Sequence, residues 1–177
     1  MTTMETICSR ASVRSYTGEP VSPEELAIIL KAAKASPAGM ARFDTLHLTV
    51  IHNPDLLAEI DAAGAALFGD PTMHPLYGAP TLVVVSSRKP APGMENVAYS
   101  NAAIMVHSMA LAATDLGVGS CYIWGATAAL SKSEAILAKL GLPEDFIPCC
   151  AITLGKTDVA YTLREIPDDK ISSNTIE

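Results

Sequence analysis

Residues Val97–Thr114 form a stretch of eighteen without a single Asp, Glu, Lys or Arg. A segment of that kind must leave water, either into lipid or into protein. Ser100, Asn101, His107 and Ser108 interrupt it, and Ala outnumbers Leu, which speaks against a lipid-facing span. The helix expected over Asn96–Leu116 is therefore buried in protein. It lies either at the centre of a domain or across a subunit interface. No membrane association is expected.

The rest of the chain arranges itself around that helix. Thr2 or Thr3 can cap a short helix reaching Cys8. Ser22-Pro23-Glu24-Glu25 opens a second helix, with an N-cap serine, proline in the first turn and carboxylates at the positive end of the dipole. Leu26, Ile29, Leu30 and Ala33 form its apolar stripe, and Ser36-Pro37-Ala38-Gly39 breaks it. Leu46–Ile51 reads as a strand. Asn53-Pro54 caps a third helix over about Asp55–Ala66, followed by a loop from Gly69 to Gly78. Thr81–Val85 is a β-branched run suited to an interior strand. Gly117-Val118-Gly119 stops the long helix, and Ser120–Trp124 is a strand. A helix over Ser131–Leu140 ends at Gly141, and Pro148–Leu154 is a further strand. Residues beyond Lys156 form a polar arm. The expected fold class is α+β with a mostly antiparallel sheet, in a single domain over residues 1–177.

Composition narrows the partners. The chain has 177 residues and a net charge of −7, so it offers no basic stripe to a nucleic acid. Met1–Ser9 is polar and lacks the apolar core of a secretory signal. Of the four cysteines, Cys8, Cys121, Cys149 and Cys150, none form C-x-x-C. Cys149 and Cys150 sit in an apolar run and read as core residues. This usage points to a reducing compartment, hence the cytoplasm. The histidines His47, His52, His74 and His107 have no metal-ligand spacing, so no metal is expected.

Common catalytic constellations are absent. The chain has no G-x-S-x-G elbow, no G-x-x-x-x-G-K-[ST] loop and no pair of carboxylates placed for acid–base work. Against this background Ser9-Arg10-Ala11-Ser12-Val13-Arg14-Ser15-Tyr16 stands out. Two guanidiniums and three serine hydroxyls within eight residues suit a bound anion. The same residues also fit a solvated helix end. Further anion or backbone features occur at Ser36–Gly39, at Tyr122–Gly125, and at Gly155-Lys156 with Arg164. A phosphate clamp without a nucleophile or base suggests that a cofactor carries the chemistry.

Taken in order, several segments resemble the FMN-dependent nitroreductase family over nearly the whole chain. They are Arg10–Tyr16 (the family's R-x-S-[VI]-R-x-[FY]), Ala35–Met40 and Tyr77-Gly78-Ala79-Pro80 before a Val-rich strand. Asn101-Ala102-Ala103 at the start of the central helix and Asp115–Cys121 at its end complete the set.

The resemblance implies an intertwined homodimer with FMN at the subunit interface, NADH or NADPH as electron donor, and a small-molecule acceptor such as a nitro compound or quinone. Arg10 and Ser12 would hold the FMN phosphate, with Ala11 between them. Arg14 would reach the N1–O2 edge of the flavin. Pro37, Ala38 and Gly39 would approach the flavin from the other subunit. Ile123, Trp124 and Gly125 would line the ring. Arg164, and secondarily Lys156, would serve the phosphate. No side chain is implied as catalytic, because the flavin carries the reaction. Many relatives continue the second motif as Asn-x-Gln-Pro-Trp, whereas this chain reads Ala41-Arg42-Phe43-Asp44-Thr45. It therefore lacks that amide contact to FMN. The lid is expected to be reduced to the Phe68–Tyr77 loop.

Overall fold

Four strands make one antiparallel sheet in the order β1-β2-β4-β3. They are β1 (Leu46–Ile51), β2 (Thr81–Arg88), β3 (Gly119–Ile123) and β4 (Phe146–Gly155). The computed structural model describes residues 1–177. All three strand pairs are antiparallel, and helices flank the sheet, so the fold class is α+β. The β-branched run of β2 occupies an interior position, paired on both edges.

Alternation along β2 divides the interior into two cores. Val83 and Val85 face a core shared with α2 (Pro23–Lys34) and α4 (Glu95–Asp115). Leu82 and Val84 face a second core shared with α3 (Pro54–Phe68), α5 (Gly125–Leu130) and α6 (Glu134–Lys139). The ladder between β2 and β4 slips after Val85. Val85 pairs with Cys150 and Ser86 with Pro148, leaving Cys149 as the extra residue of a bulge. The bulge explains why two consecutive residues, Cys149 and Cys150, belong to the same core. Both thiols are buried and free. Burial, the largest cause, pushes the Cys149 pKa up to about 11, so this thiol is neutral packing material.

The uncharged helix is α4. Its residues Ala98, Ala102, Met105, Val106, Met109 and Ala113 are buried against the sheet and α2. Ser100, Ile104 and His107 remain exposed on one stripe, with Leu111 half-buried one turn on. One side of the helix thus serves the core and the other is uncovered in the single chain. No helix is long and apolar enough to cross a membrane.

Helix starts follow their capping residues. Thr2, before α1 (Thr3–Ser9), and Ser22, before α2, each form a reciprocal capping box with a glutamate three residues on. Asn53 caps α3 by accepting from the Leu56 amide. The expected helix over Ser131–Leu140 is corrected to α6 alone, Glu134–Lys139, and a separate short helix, α5, precedes it where none was expected. Ser131 closes α5, and Ser133 opens α6 by accepting from the Ile136 amide. The start of α5 has no side-chain cap, so its N-terminus left no mark in the sequence.

Candidate functional site

The arginine segment follows α1 and lies along β3. The Val13 amide donates to the Ser120 carbonyl at 2.8 Å. Val13 is buried while Ser12 and Arg14 on either side are exposed. This two-residue alternation turns the polar side chains outward together. Arg10, Ser12 and Arg14 converge on Cys121 of β3. Burial raises that thiol, while Arg14, a hydrogen bond with Ser12, and Arg10 draw it back down.

Arg164 returns to the same place from the C-terminal arm. Its Nε donates to the Cys8 carbonyl at 2.8 Å, and its Nη2 donates to the Arg10 carbonyl at 2.6 Å. These carbonyls lie at the end of α1, where the helix has no partners of its own for them. Arg164 therefore fixes the backbone from which the Arg10 side chain projects. None of Arg10, Arg14 and Arg164 has a carboxylate within ion-pair distance.

The far end of β3 carries the second group. Ile123 is buried, and Trp124 is 68% exposed. A Cβ on Gly125 would lie 2.5 Å from the Phe68 ring, so only glycine lets that ring close over the start of α5. The loop after α3 then brings Tyr77 beneath Arg14, with the guanidinium 5.7 Å from the ring centroid.

Two segments sit elsewhere. The Lys156 ammonium donates to Glu25 at 2.6 Å, beside the α2 capping box, and is engaged there rather than with the arginines. Pro37–Gly39 is anchored on α4: the Gly39 amide donates to Asn101 Oδ1 at 2.9 Å. A Cβ on Gly39 would lie 3.0 Å from Val97 Cγ1, so the turn approaches the helix closely. Within one chain Arg10, Ala11, Ser12, Arg14, Arg164 and Ile123–Gly125 share the β3 edge, whereas Pro37–Gly39 belongs to the α4 side.

Tyr77, Asn101 and Cys121 emerge as parts of the site that residue type alone did not mark. Tyr77 adopts φ 55° directly before Gly78 at φ 70°. A tyrosine in the left-handed region gives no sequence signal, since glycine or asparagine is the usual occupant. No group of three or more His, Cys, Asp or Glu side chains is arranged to hold a metal ion.

Comparison with known proteins places the fold. A solved nitroreductase with bound FMN from Desulfitobacterium hafniense superposes with a TM-score of 0.82 at 28% identity, covering 99% of this chain and 100% of that one. An FMN reductase (NADPH) of Bacillus subtilis is 25% identical over 165 residues, covering 86% of this chain. This chain spans 65% of the length of that relative. A putative NADH dehydrogenase/NAD(P)H nitroreductase of Archaeoglobus fulgidus is 26% identical over 152 residues, covering 86% of this chain and 83% of its own. The model of the nitroreductase family matches residues 7–156, and the chain belongs to that family.

Proposed function

We propose that the protein is an FMN-dependent oxidoreductase, a single domain over residues 1–177, that takes electrons from NADH or NADPH and passes them to a small acceptor such as a nitro compound or quinone. The observation that carries this reading is the set of three guanidiniums at one edge of β3, none with a carboxylate partner, in a chain of net charge −7. An acidic protein that leaves three neighbouring arginines unpaired fits a resident anion. The names of the relatives, which include an NADPH-dependent FMN reductase and an NAD(P)H nitroreductase, supply the nicotinamide donor.

Each residue then has a task. Arg10 and Ser12 hold the phosphate with Ala11 between them, and Arg164 holds the Arg10 backbone in place. Arg14 is directed to the pyrimidine edge of the flavin. A fixed guanidinium there favours negative charge, the more so where water is excluded. Ile123, Trp124 and Gly125 line the ring. Lys156, paired with Glu25, has no part in the phosphate site. When bound, FMN supplies hydride and electron transfer that no side chain of this protein provides.

The working form is a homodimer. The α4 stripe of Ser100, Ile104 and His107 is uncovered, and Pro37–Gly39 is anchored on α4 rather than on β3 with the arginine segment, so a second copy would bring that turn to the flavin. The free thiols fit a cytoplasmic setting.

The test is direct. Purified protein is expected to be yellow, with the absorbance of oxidised FMN, and to bleach on anaerobic mixing with NADH or NADPH. Colourless protein that takes up no FMN would overturn the reading; yellow protein that bleaches with neither donor would reduce it to a flavin carrier.

A further inference from the structure

A cavity of about 260 Å³ opens between the Gly39 turn and the first turns of α4, and Arg42, Arg88, Lys89 and Asn101 line it. Asn101 is 7% exposed. Its Oδ1 is occupied by the Gly39 amide, and its Nδ2 donors have no hydrogen-bond partner in the chain. Nδ2 is not sealed inside the protein, so it is available to an acceptor that enters the cavity.

The charged groups around it have one sign in excess. Arg42 donates from Nε and Nη2 to the two oxygens of Asp44 at 2.9 and 3.1 Å. Arg88 Nη1 lies 3.7 Å from the same carboxylate. Lys89 has no carboxylate within ion-pair distance. Arg88 also packs over the Phe146 ring at 5.7 Å, which limits its freedom. Arg42 and Arg88 thus share one carboxylate, and Lys89 adds a third positive charge with none of its own. Glu95 follows Met94 in sequence and the Asp145 carbonyl accepts from the Lys89 amide, but neither residue lines the cavity. Asp44 holds Arg42 by two bonds and leaves its remaining nitrogen free. Arg42 and Asp44 lie in the segment Ala41–Thr45, where this chain departs from the family pattern.

We propose that this cavity binds an oxyanion, a carboxylate or phosphate, carried by a small substrate of the flavin site. Arg42, Arg88 and Lys89 form its cationic wall, and Asn101 Nδ2 is its neutral donor. The proposal rests on the oxidoreductase reading, since the cavity adjoins the Gly39 turn assigned to the flavin of the second subunit. It adds a substrate class: an acceptor with an acid group, or a donor with a phosphate on its ribose. A neutral quinone or nitroarene gains nothing from such a wall.

Calorimetric titration of the FMN-loaded protein tests this without turnover. The probes are benzoate against benzamide, and adenosine 2′-monophosphate against adenosine. At least one anion is expected to bind about tenfold or more tightly than its neutral counterpart, the scale of one charge-assisted hydrogen bond. Benzoate identifies the acceptor as the source of the charge, and the nucleotide identifies the donor. Arg88→Gln, at an exposed position, is expected to remove most of the preference. Asn101→Asp keeps the acceptor for Gly39 but replaces the donor with a negative charge, and is expected to abolish anion binding. Equal binding of anion and neutral probe, or a preference that survives Arg88→Gln, would show that Arg42, Asp44 and Arg88 form only a surface ion-pair network. Anion preference in protein that does not bleach with NADH or NADPH would support the cavity while refuting the oxidoreductase reading.

Discussion

Arg10 illustrates how a single side chain is prepared for a ligand it does not yet touch. Its backbone carbonyl is held by Arg164, and its guanidinium has no acidic neighbour to release before an anion arrives. Arg10→Ala is therefore expected to weaken FMN binding by about 1.5–3 kcal/mol, the worth of a hydrogen bond to a charged group. Flavin fluorescence titration reads this directly; unchanged affinity removes Arg10 from the phosphate site. Residue type marked this segment as a candidate but fitted a solvated helix end equally well, and only the family pattern carried by the other segments pointed to a phosphate. Conformation was less legible. Met40 and Ala41 sit at φ 56° and 54°, a region that costs an alanine roughly 1 kcal/mol. Ala41 stands where many relatives have asparagine, which tolerates that region better. Ala41 is exposed, so Ala41→Gly removes strain without opening a cavity. It is expected to raise stability by about 0.5–1 kcal/mol in urea unfolding.

At the scale of elements, α2 shows a motif that was readable and a partner that was not. Ser22-Pro23-Glu24-Glu25 announced the helix start, and the capping box formed as its spacing requires. The Glu25–Lys156 pair joins residues far apart in sequence, so nothing local could reveal it. It also explains why Lys156, attractive by type as a phosphate ligand, is engaged elsewhere. The hydrogen bond from Lys156, followed by that from the Ser22 amide, holds the Glu25 carboxyl below its usual value of 4.5. A depressed folded-state pKa means that stability is fully present above pH 4.5. It is lost as pH falls below that value, because the unfolded chain takes the proton first. Glu25→Gln retains an acceptor for the Ser22 amide but loses the charge. It is expected to cost up to about 1 kcal/mol at pH 7, discounted for partial exposure. It is also expected to flatten the acid limb of a urea-midpoint profile between roughly pH 5 and 3. The helix α5 was unreadable for a different reason. Gly125-Ala126-Thr127-Ala128 has no capping side chain at its start, and α5 is held by Phe68 and the core instead.

For the whole molecule, the placement of the site segments matters more than any one contact. The strands of the sheet followed from hydrophobic patterning, its division of the interior into two cores did not, and the long uncharged helix told from the outset that one element must be covered on most sides. Patterning alone could not say that α4 would cover the sheet with one face and leave Ser100, Ile104 and His107 open with the other. The arginine segment and the Gly39 turn lie on different parts of one chain, so the proposed dimer divides each flavin site between two copies. Arg10→Ala damages the part a subunit uses for its own flavin. Gly39→Val damages the part it lends, because a side chain at Gly39 meets Val97 at 3.0 Å. Each variant alone carries the same defect at both sites and is expected to be nearly inactive. In a heterodimer of the two variants, both defects fall on one site and the other site is whole. With random assembly half the dimers are mixed, each with one working site, so co-expression is expected to restore about a quarter of the wild-type NAD(P)H oxidation rate. If the whole site lies within one chain, every site in the mixture contains a defect. Activity then stays at the level of the single variants, and the shared-site dimer is refuted.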